Sequence, residues 1–362
     1  MADRREIRAM KLNSLPSISP SRLQALRECA LRVLLERTFP QGILPPTPLM
    51  LVGQLIHKVA ERAFIEAPGN QAELEQLWQR EMEALESQLS SKPKLAMLVP
   101  LRYSVPNFAV RQAQFIQTWK YRSISSSSGA ALQGGAEKVL ADEDKQVIGK
   151  VDLIVRSPTG WVIKDFKSGK IFDSETGEVK SDYEIQLKLY AALCRNTYQE
   201  YPVKLCLIDA AGVEVEIPFT PEECAALLVE AQQLLATINQ QVVDGQLETL
   251  ASPDPGRCRW CMSRAVCPLY TEQLRTCPDT LPHDLLGTHV SHKLVGDRLQ
   301  VVLESSGTKR KLLAVGRVSK SLDYQLSANA GKEVLLCNVR AADNQLTFTA
   351  TEITCAVPVN CD

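Results

Sequence analysis

The spacing of apolar residues divides this chain of 362 residues into a helical first part, a mixed middle and a strand-rich end. Apolar residues at helical spacing predict helices over about 19–34, 48–65, 183–194 and 220–245, with mostly helical structure over 70–120. Short apolar runs predict strands near 137–141, 147–156, 161–166, 203–209 and 213–217. After about residue 283 the runs become short and alternating, which predicts a small all-β module over 283–362.

Composition and charge are those of an ordinary globular protein. Hydrophobic residues make up 45% and charged residues 23% of the chain, and no apolar run approaches the length of a membrane span. The first residues lack the apolar core of a secretory signal, so we expect a cytoplasmic protein with no membrane partner. The net charge is −1, but residues 1–40 hold eight Arg and Lys against four Asp and Glu. This surplus fits either a phosphate-binding surface or a solvated helix face.

Two apolar runs in the middle of the chain each carry an acidic residue, Asp152 and Asp165, and Lys167 follows the second by two positions. Because residues i and i+2 of a strand share a face, Asp165 and Lys167 would project together. If the runs pair as a hairpin across 157–160, Asp152 reaches the same place. Two carboxylates and an ammonium suit a divalent cation, an activated water and a phosphate, which favours metal-dependent phosphodiester hydrolysis. Solvated residues at strand ends are the alternative.

Three of the eleven cysteines form a C-x2-C-x5-C cluster, at Cys258, Cys261 and Cys267. Three thiols so close together indicate a metal site, which needs a fourth ligand. Cys277 is the nearest candidate in sequence, and Cys29, on the first predicted helix, is the distant one. From spacing alone zinc is the commoner occupant and an iron–sulfur cluster the other, while small structural cysteines are the alternative to any metal.

Two predicted helices carry polar side chains along one face. Gly53, His57 and Glu61 are spaced at i, i+4 and i+8, so His57 could offer a ring nitrogen to a metal beside a close contact at Gly53. Gln186 and Tyr190 are spaced at i and i+4, and an amide and a phenol can bind phosphate oxygens or orient a lysine. Either pattern alone also fits half-buried structural residues.

Taken in order, these elements resemble the RecB-type branch of the PD-(D/E)XK nuclease superfamily. More narrowly, they resemble its iron–sulfur members, the CRISPR-associated Fe–S exonucleases and the nuclease domain of the AddB subunit. The family pattern is a helix with a first cysteine, then G-x3-H-x3-E, G-x-x-D, D-x-K, Q-x3-Y and C-x2-C-x5-C. The matching positions are Cys29, Gly53-His57-Glu61, Gly149-Asp152, Asp165-Lys167, Gln186-Tyr190 and Cys258-Cys261-Cys267. The resemblance spans about residues 15–275, with Ala30 where many relatives have proline.

The resemblance implies a fold and a metal site. The fold is a restriction-endonuclease-like α/β (α+β) core over residues 1–280, with a helical N-terminal segment, a helical insertion at about 66–122 and a four-cysteine closure. The metal is Mg2+ or Mn2+, and its implied ligands are His57, Asp152, Asp165 and the backbone carbonyl of Phe166, with Glu137 able to assist.

The resemblance also implies roles for the remaining motif residues. Lys167 would position the attacking water or stabilise charge on the phosphate, and Gln186 and Tyr190 would organise the site. A [4Fe–4S] cluster would be held by four cysteines: Cys29, Cys258, Cys261 and Cys267. The resemblance therefore changes the expected occupant of the cysteine site from zinc to an iron–sulfur cluster.

The expected function is that of a metal-dependent DNA nuclease, an exonuclease acting on single-stranded DNA or DNA ends in repair, recombination, or phage- and CRISPR-related defence. The module at 283–362 lies outside the resemblance, and an oligonucleotide-binding (OB) barrel that binds nucleic acid is one identity for it. One alternative is a catalytically silent DNA-binding scaffold of a helicase–nuclease or defence complex. Another is a zinc-stapled protein with no nucleic-acid role. The sequence has no helicase motif, so any unwinding would need a partner.

Overall fold

The computed structural model describes residues 12–40, 43–92, 95–120, 134–209, 213–277, 281, 283–305, 307–344 and 346–359. Some features of the sequence lie outside these described residues. They include the basic residues Arg4, Arg5, Arg8 and Lys11, residues 121–133, and the link at 210–212 between the predicted strands at 203–209 and 213–217.

Helices form most of the described chain before residue 120 and flank the strands after it. They are α1 (Leu23–Thr38), α2 (Pro48–Glu66), α3 (Gln71–Ser90), α4 (Leu101–Ser104), α5 (Phe108–Lys120), α6 (Ser181–Tyr198), α7 (Pro221–Val243), α8 (Pro255–Cys258), α9 (Pro268–Thr276) and α10 (Arg317–Ser327). Short 3-10 turns lie at Pro20–Arg22, Ala96–Leu98 and Arg264–Val266. The starts of α2 and α7 follow capping chemistry, because the side chains of Thr47 and Thr220 accept backbone N–H groups and proline occupies the first helical turn.

The first sheet follows the order of its strands along the chain. Its strands are β1 (Gly134–Ala141), β2 (Ile148–Ser157), β3 (Gly160–Lys167), β4 (Lys204–Asp209) and β5 (Glu214–Glu216). Neighbouring strands are antiparallel except β3 and β4, which are parallel because α6 provides the crossover between them. Successive residues face opposite sides, so Leu153 packs with α2 and the insertion whereas Ile154 packs with α6 and α7. The sheet is therefore covered by helices on both faces.

The segment between α2 and β1 adds helices to one side of the sheet. Trp78 of α3 is fully buried and meets Phe108 and Phe115 of α5, with ring centroids 6.1 and 5.5 Å apart. These aromatic contacts hold α3 and α5 together over the outer side of α2. The insertion therefore belongs to the same hydrophobic core as α2.

Strands β6 to β10 close a barrel in the order β10-β8-β7-β6-β9. The strands are β6 (Asp284–Val295), β7 (Arg298–Ser305), β8 (Thr308–Val315), β9 (Glu333–Ala341) and β10 (Thr347–Pro358). The pair β8 and β10 is parallel and the other neighbours are antiparallel. The barrel packs against the rest of the chain, since Ile353 of β10 joins the core cluster of α2 and the insertion and Arg317 donates to the carbonyl of Val99.

The prediction of an all-β module over 283–362 is wrong in one respect, because helix α10 lies between β8 and β9. Val318, Leu322 and Leu326 are buried at i, i+4 and i+8 and fill the barrel core. Strand β8 ends at Val315, where Gly316 adopts a φ of 78° and turns the chain.

A buried ion pair joins the barrel to the cysteine-rich segment. The guanidinium of Arg264, which lies between Cys261 and Cys267, contacts both carboxylate oxygens of Asp284 at 2.6 and 3.0 Å. The side chains of these two residues are only 3% and 0% exposed. Asp284 also accepts hydrogen bonds from the hydroxyl of Tyr270 at 2.7 Å and the backbone N–H of Asn338 at 2.8 Å. This saturated network fixes the first residue of the barrel to the loop that carries the cysteines.

None of the helices that the structure describes is long and apolar enough to cross a bilayer.

Replacing Asp284 with alanine leaves the buried Arg264 charge without its partner, so we expect the free energy of unfolding to fall by about 3–5 kcal/mol. Urea denaturation followed by circular dichroism measures the change. Arg80→Ala is the matched control, because it removes an exposed ion pair with Glu66 and should change stability by less than about 1 kcal/mol. An Asp284→Ala midpoint equal to that of the control would contradict the importance given to this pair.

Candidate functional site

The two acidic residues predicted to meet lie side by side on adjacent strands. Leu153 of β2 pairs with Lys164 of β3, so Asp152 and Asp165 are the next residues along these antiparallel strands. Asp152 Oδ2 accepts a hydrogen bond from the backbone N–H of Phe166 at 2.8 Å. Asp152 is thus fixed at the point where β2 and β3 stop pairing.

His57 reaches the same point from helix α2. Its Nε2 lies 2.8 Å from Asp152 Oδ2, and its ring meets the ring of Phe166 edge to face at a centroid distance of 6.3 Å. Gly53, one turn earlier, allows this approach, since a Cβ there would lie 2.9 Å from the hydroxyl of Ser168. Glu61, one turn later, is nearly buried and pairs with Lys58 at 2.8 Å.

Lys167, Asp165 and Gln186 form a closed polar network. Lys167 Nζ lies 2.6 Å from Asp165 Oδ2 and donates to Gln186 Oε1 at 2.7 Å. Gln186 Nε2 in turn donates to Asp165 Oδ1 at 3.1 Å. The amide therefore holds the carboxylate and the ammonium in one fixed arrangement.

Tyr190 ties this network to strand β2. Its hydroxyl donates to the carbonyl of Lys150 at 2.9 Å and lies 3.3 Å from Gln186 Nε2. The ring passes directly over Gly149, where a Cβ would lie 2.5 Å from Tyr190 and 2.8 Å from Pro20. Glycine at this position is thus required by close packing of α6 and the N-terminal turn on the strand.

The sequence analysis missed Tyr183, whose ring lies 4.5 Å from Lys167 Nζ. This contact is a cation–π interaction, which adds an aromatic partner to the two polar partners of Lys167, Asp165 and Gln186. The signal was present in the helical spacing, since Tyr183 precedes Gln186 by three residues on the same helix.

The electrostatics of the site favour proton uptake when no cation is present. Burial raises the pKa of Asp165 to about 6, against the opposing charge of Lys167. Burial, the largest influence, lowers the pKa of His57, but the hydrogen bond and charge of Asp152 and the charge of Asp165 outweigh it, so this pKa is raised. Both residues therefore hold protons at a higher pH than usual.

The donor set fits a hard divalent cation. Asp165 Oδ2 is buried and has no aligned hydrogen bond among the described residues, although Lys167 Nζ is close to it. Such an oxygen, beside a second carboxylate and an imidazole, is a suitable ligand for Mg2+ or Mn2+. In the described part of the chain, however, no group of three or more His, Cys, Asp or Glu side chains is arranged around one point as metal ligands.

Two further predicted metal contacts differ in their placement. Glu137 lies opposite Asp152 in the β1–β2 register, but its carboxylate contacts Lys150 Nζ at 2.6 Å and Lys58 Nζ at 4.0 Å. The hydrogen bond from Lys150 lowers the pKa of Glu137. The carboxylate of Glu137 thus forms its contacts with lysines at the edge of the site. Phe166 lies between Asp165 and Lys167, and the role of its carbonyl stays a prediction.

The cysteines predicted as cluster ligands line one pocket, which we call the thiol pocket: Cys29, Cys258, Cys261 and Cys267. Helix α1 is broken at Cys29, with φ −162° and ψ 91°, and the N–H of Leu31 bonds to the carbonyl of Leu250 instead. Burial raises the pKa of Cys261 to about 11 and that of Cys267 to about 12. Metal binding would have to displace these protons. Cys277 is exposed and lies outside the described lining of this pocket.

Comparison with known proteins assigns the family. Residues 17–268 match the model of the PD-(D/E)XK nuclease superfamily. The chain belongs to this superfamily. Membership implies a metal-dependent nuclease with DNA as its substrate, and PD-(D/E)XK nucleases typically use Mg2+ or Mn2+.

The other comparisons add little. No curated protein matches the sequence. A crystal structure of the tetrameric p202 HIN2 matches at 11% identity over 21% of this chain and 40% of that chain, with a TM-score of 0.17. A structure described as "Structural mimicry for functional antagonism" matches at 10% identity over 64% of this chain and 97% of that chain, with a TM-score of 0.19. Likenesses this distant carry no argument about function.

Because Asp165 and His57 both take up protons at raised pKa values, cations and protons should compete for the site. We expect the affinity for Mn2+ to rise with pH, by up to about 100-fold per unit below pH 6, where Asp165 and His57 both bind protons that the cation must displace, and by up to about tenfold per unit just above it, where only His57 does. Isothermal titration calorimetry of the full chain between about pH 5 and 7.5 measures this rise. Affinity that does not change over this range would contradict the shared site, and Asp165→Asn should lower the slope below pH 6 while keeping the part due to His57.

Proposed function

We propose that this nuclease is a Mg2+- or Mn2+-dependent deoxyribonuclease of the RecB-type iron–sulfur branch, acting as an exonuclease on single-stranded DNA or DNA ends. One observation carries the proposal: the buried Asp165 carboxylate, whose Oδ2 has no aligned hydrogen bond among the described residues although Lys167 Nζ is close to it, lies beside Asp152 and His57. A structural ion pair would need neither the second carboxylate nor the imidazole at the same point.

The residues of the site would have different roles in phosphodiester hydrolysis. His57, Asp152 and Asp165 would hold the cation, which when bound polarises the scissile phosphate and lowers the pKa of a coordinated water. Lys167 would place its positive charge against the developing charge on the phosphate, because Gln186 and Tyr183 restrain the ammonium from two directions. Tyr190 keeps Gln186 in place through the carbonyl of Lys150.

Asp165→Ala and Lys167→Ala should each lower the rate of DNA cleavage in Mn2+ by about 100- to 1,000-fold or more, because each removes a charge that acts on the reacting phosphate. Initial rates on end-labelled single-stranded DNA measure the loss. Glu216→Ala is the matched control, since it removes a carboxylate from the exposed edge strand β5 of the same sheet. A wild-type chain that binds DNA and cuts none would favour the silent scaffold, and cleavage of circular single-stranded DNA would contradict the exonuclease mode.

We also propose that the thiol pocket holds a [4Fe–4S] cluster. Its support is the chemistry of four cysteines lining one pocket, with Cys29 released from helical geometry, Cys261 buried and Cys267 half-buried. A cluster bound there would connect α1 to the segment after α7. Its place would be architectural, because Asp165 and Lys167 do not line this pocket.

Protein purified without oxygen should be brown, with absorbance near ~400 nm and about four iron atoms per chain. Cys29→Ser should remove this absorbance, whereas Cys277→Ser, the matched control, should retain it because Cys277 lies outside the pocket. Colourless protein containing one zinc ion would contradict the cluster. Loss of absorbance in Cys277→Ser would replace Cys29 with Cys277 as the fourth ligand.

For the barrel of β6 to β10 we propose an oligonucleotide-binding identity with a role in holding DNA. What supports it is a closed barrel of five strands with a parallel pair between β8 and β10 and a helix packed into the barrel core. We further propose that a helicase or defence complex supplies unwound DNA to this chain.

A further inference from the structure

An open cleft of about 790 Å³ leads from the surface to His57. Its walls come from distant parts of the chain: Leu49 and Met50 at the start of α2, Arg111 of α5, and Trp260 of the cysteine-rich segment. We call it the Trp260 cleft. Ser168 and Gly169, which directly follow Lys167, also line it, so the cleft opens onto the candidate catalytic residues.

One wall of the Trp260 cleft is apolar and exposed. Trp260 is 58% exposed, Leu49 is 50% exposed and Met50 is 45% exposed. Large apolar side chains are usually covered, and a group of them in a concave surface marks a place where a ligand binds. The ligand that belongs beside catalytic carboxylates of a nuclease is DNA, and its bases are the part that apolar side chains contact.

Trp260 is presented by a rigid part of the chain. It lies between Cys258 and Cys261, and the carbonyl of Cys261 accepts a hydrogen bond from Arg264, whose side chain is locked to Asp284. The guanidinium of Arg259 lies 5.0 Å from the centroid of the Trp260 indole. An aromatic ring held in place, with a positive charge beside it, is suited to stacking on a nucleotide base.

The lining of the Trp260 cleft carries balanced charge, because Lys58 and Arg111 offset Glu61 and Glu137, and it is therefore less repulsive to a polyanion than an acidic surface. Arg111 is exposed in the Trp260 cleft and has no ion-pair partner among the described residues, so it is available to a phosphate. A second cleft reaches Lys167 from the other side, and its lining includes Glu28, Asp173, Glu178 and Asp182. These carboxylates repel a DNA backbone, although Arg32 and Lys180 offset them in part.

We propose that the Trp260 cleft binds an unpaired DNA strand, with bases on the wall of Trp260, Leu49 and Met50 and a phosphate on Arg111. This proposal deepens the proposed nuclease function and rests on it for the identity of the ligand. In a duplex the bases are stacked and paired inside, so an apolar wall gains no contact with them. The cleft therefore selects single-stranded over double-stranded DNA before any bond is broken.

The test measures binding of the full chain to a fluorescein-labelled single-stranded 20-mer and to the matching duplex by fluorescence anisotropy, without divalent cations. Trp260→Ala should weaken binding of the single strand by about 5- to 100-fold and leave the duplex unchanged. Trp260→Phe should restore most of the affinity, and Tyr103→Ala, which removes a 74% exposed aromatic from α4, is the matched control.

Two further variants separate stacking from folding and from charge. Leu49→Ser should also weaken single-strand binding. Leu49 lies far along the chain from the cysteines, so this loss cannot be ascribed to a disturbed thiol pocket. Arg111→Ala should weaken single-strand binding and lower the slope of log affinity against log salt by about 1, because it removes one phosphate contact.

Equal losses for both DNAs, or full affinity in both Trp260→Ala and Leu49→Ser, would overturn the proposal. A parallel assay of cleavage in Mn2+ distinguishes this failure from failure of the nuclease function. If the wild-type chain cleaves DNA but does not prefer single strands, the proposal for the Trp260 cleft fails and the nuclease function stands. If it binds single strands selectively but cleaves no DNA, the nuclease function fails and the proposal for the cleft stands.

Discussion

The structure of the site depends on one costly interaction, the burial of the Asp165 carboxylate at the end of β3. A carboxylate shielded from water is stable in its charged form only if partners surround it, and Lys167 and Gln186 supply two of them. Burial nevertheless raises the pKa of Asp165 to about 6, and its Oδ2, which lies 2.6 Å from Lys167 Nζ, has no aligned hydrogen bond among the described residues. The fold thus keeps a buried carboxylate in a place where a bound cation would stabilise its charged form.

Close packing around the Asp165 carboxylate explains why positions 53 and 149 are glycines. Gly53 lets α2 approach Ser168, which brings His57 within 2.8 Å of Asp152. Gly149 lets the ring of Tyr190 cross β2, which places α6 so that Gln186 meets Asp165. A methyl group at either glycine would separate the helix from the sheet, and the polar network would lose its alignment without any change in the polar residues themselves.

How far the sequence predicts this structure depends on how local each signal is. The β2–β3 pair and the spacing of Gln186 and Tyr190 follow from periodicity, and the structure places these side chains together, although their catalytic roles stay predictions. Helix α10 was missed because Val315 and Val318 continue the apolar run of β8, so the turn at Gly316 was not recognised. The Arg264–Asp284 pair, and the cleft that Trp260 and Arg111 both line, bring together residues far apart in the chain, and neither has a local pattern that predicts it.

The Arg264–Asp284 pair gives the cysteine-rich segment a structural role that does not depend on a bound metal. Arg264 lies between two of the cysteines, and Asp284 begins the barrel, so a displacement of the barrel would move the loop that carries Trp260. The bidentate contact is buried and saturated by Tyr270 and Asn338, which resists such a displacement more than an exposed pair would. These contacts therefore join the barrel, the thiol pocket and one wall of the Trp260 cleft, so that a movement of one part would move the others. A cluster in the thiol pocket would stiffen this unit from the side of α1, and the position of Trp260 relative to His57 would then depend on both anchors.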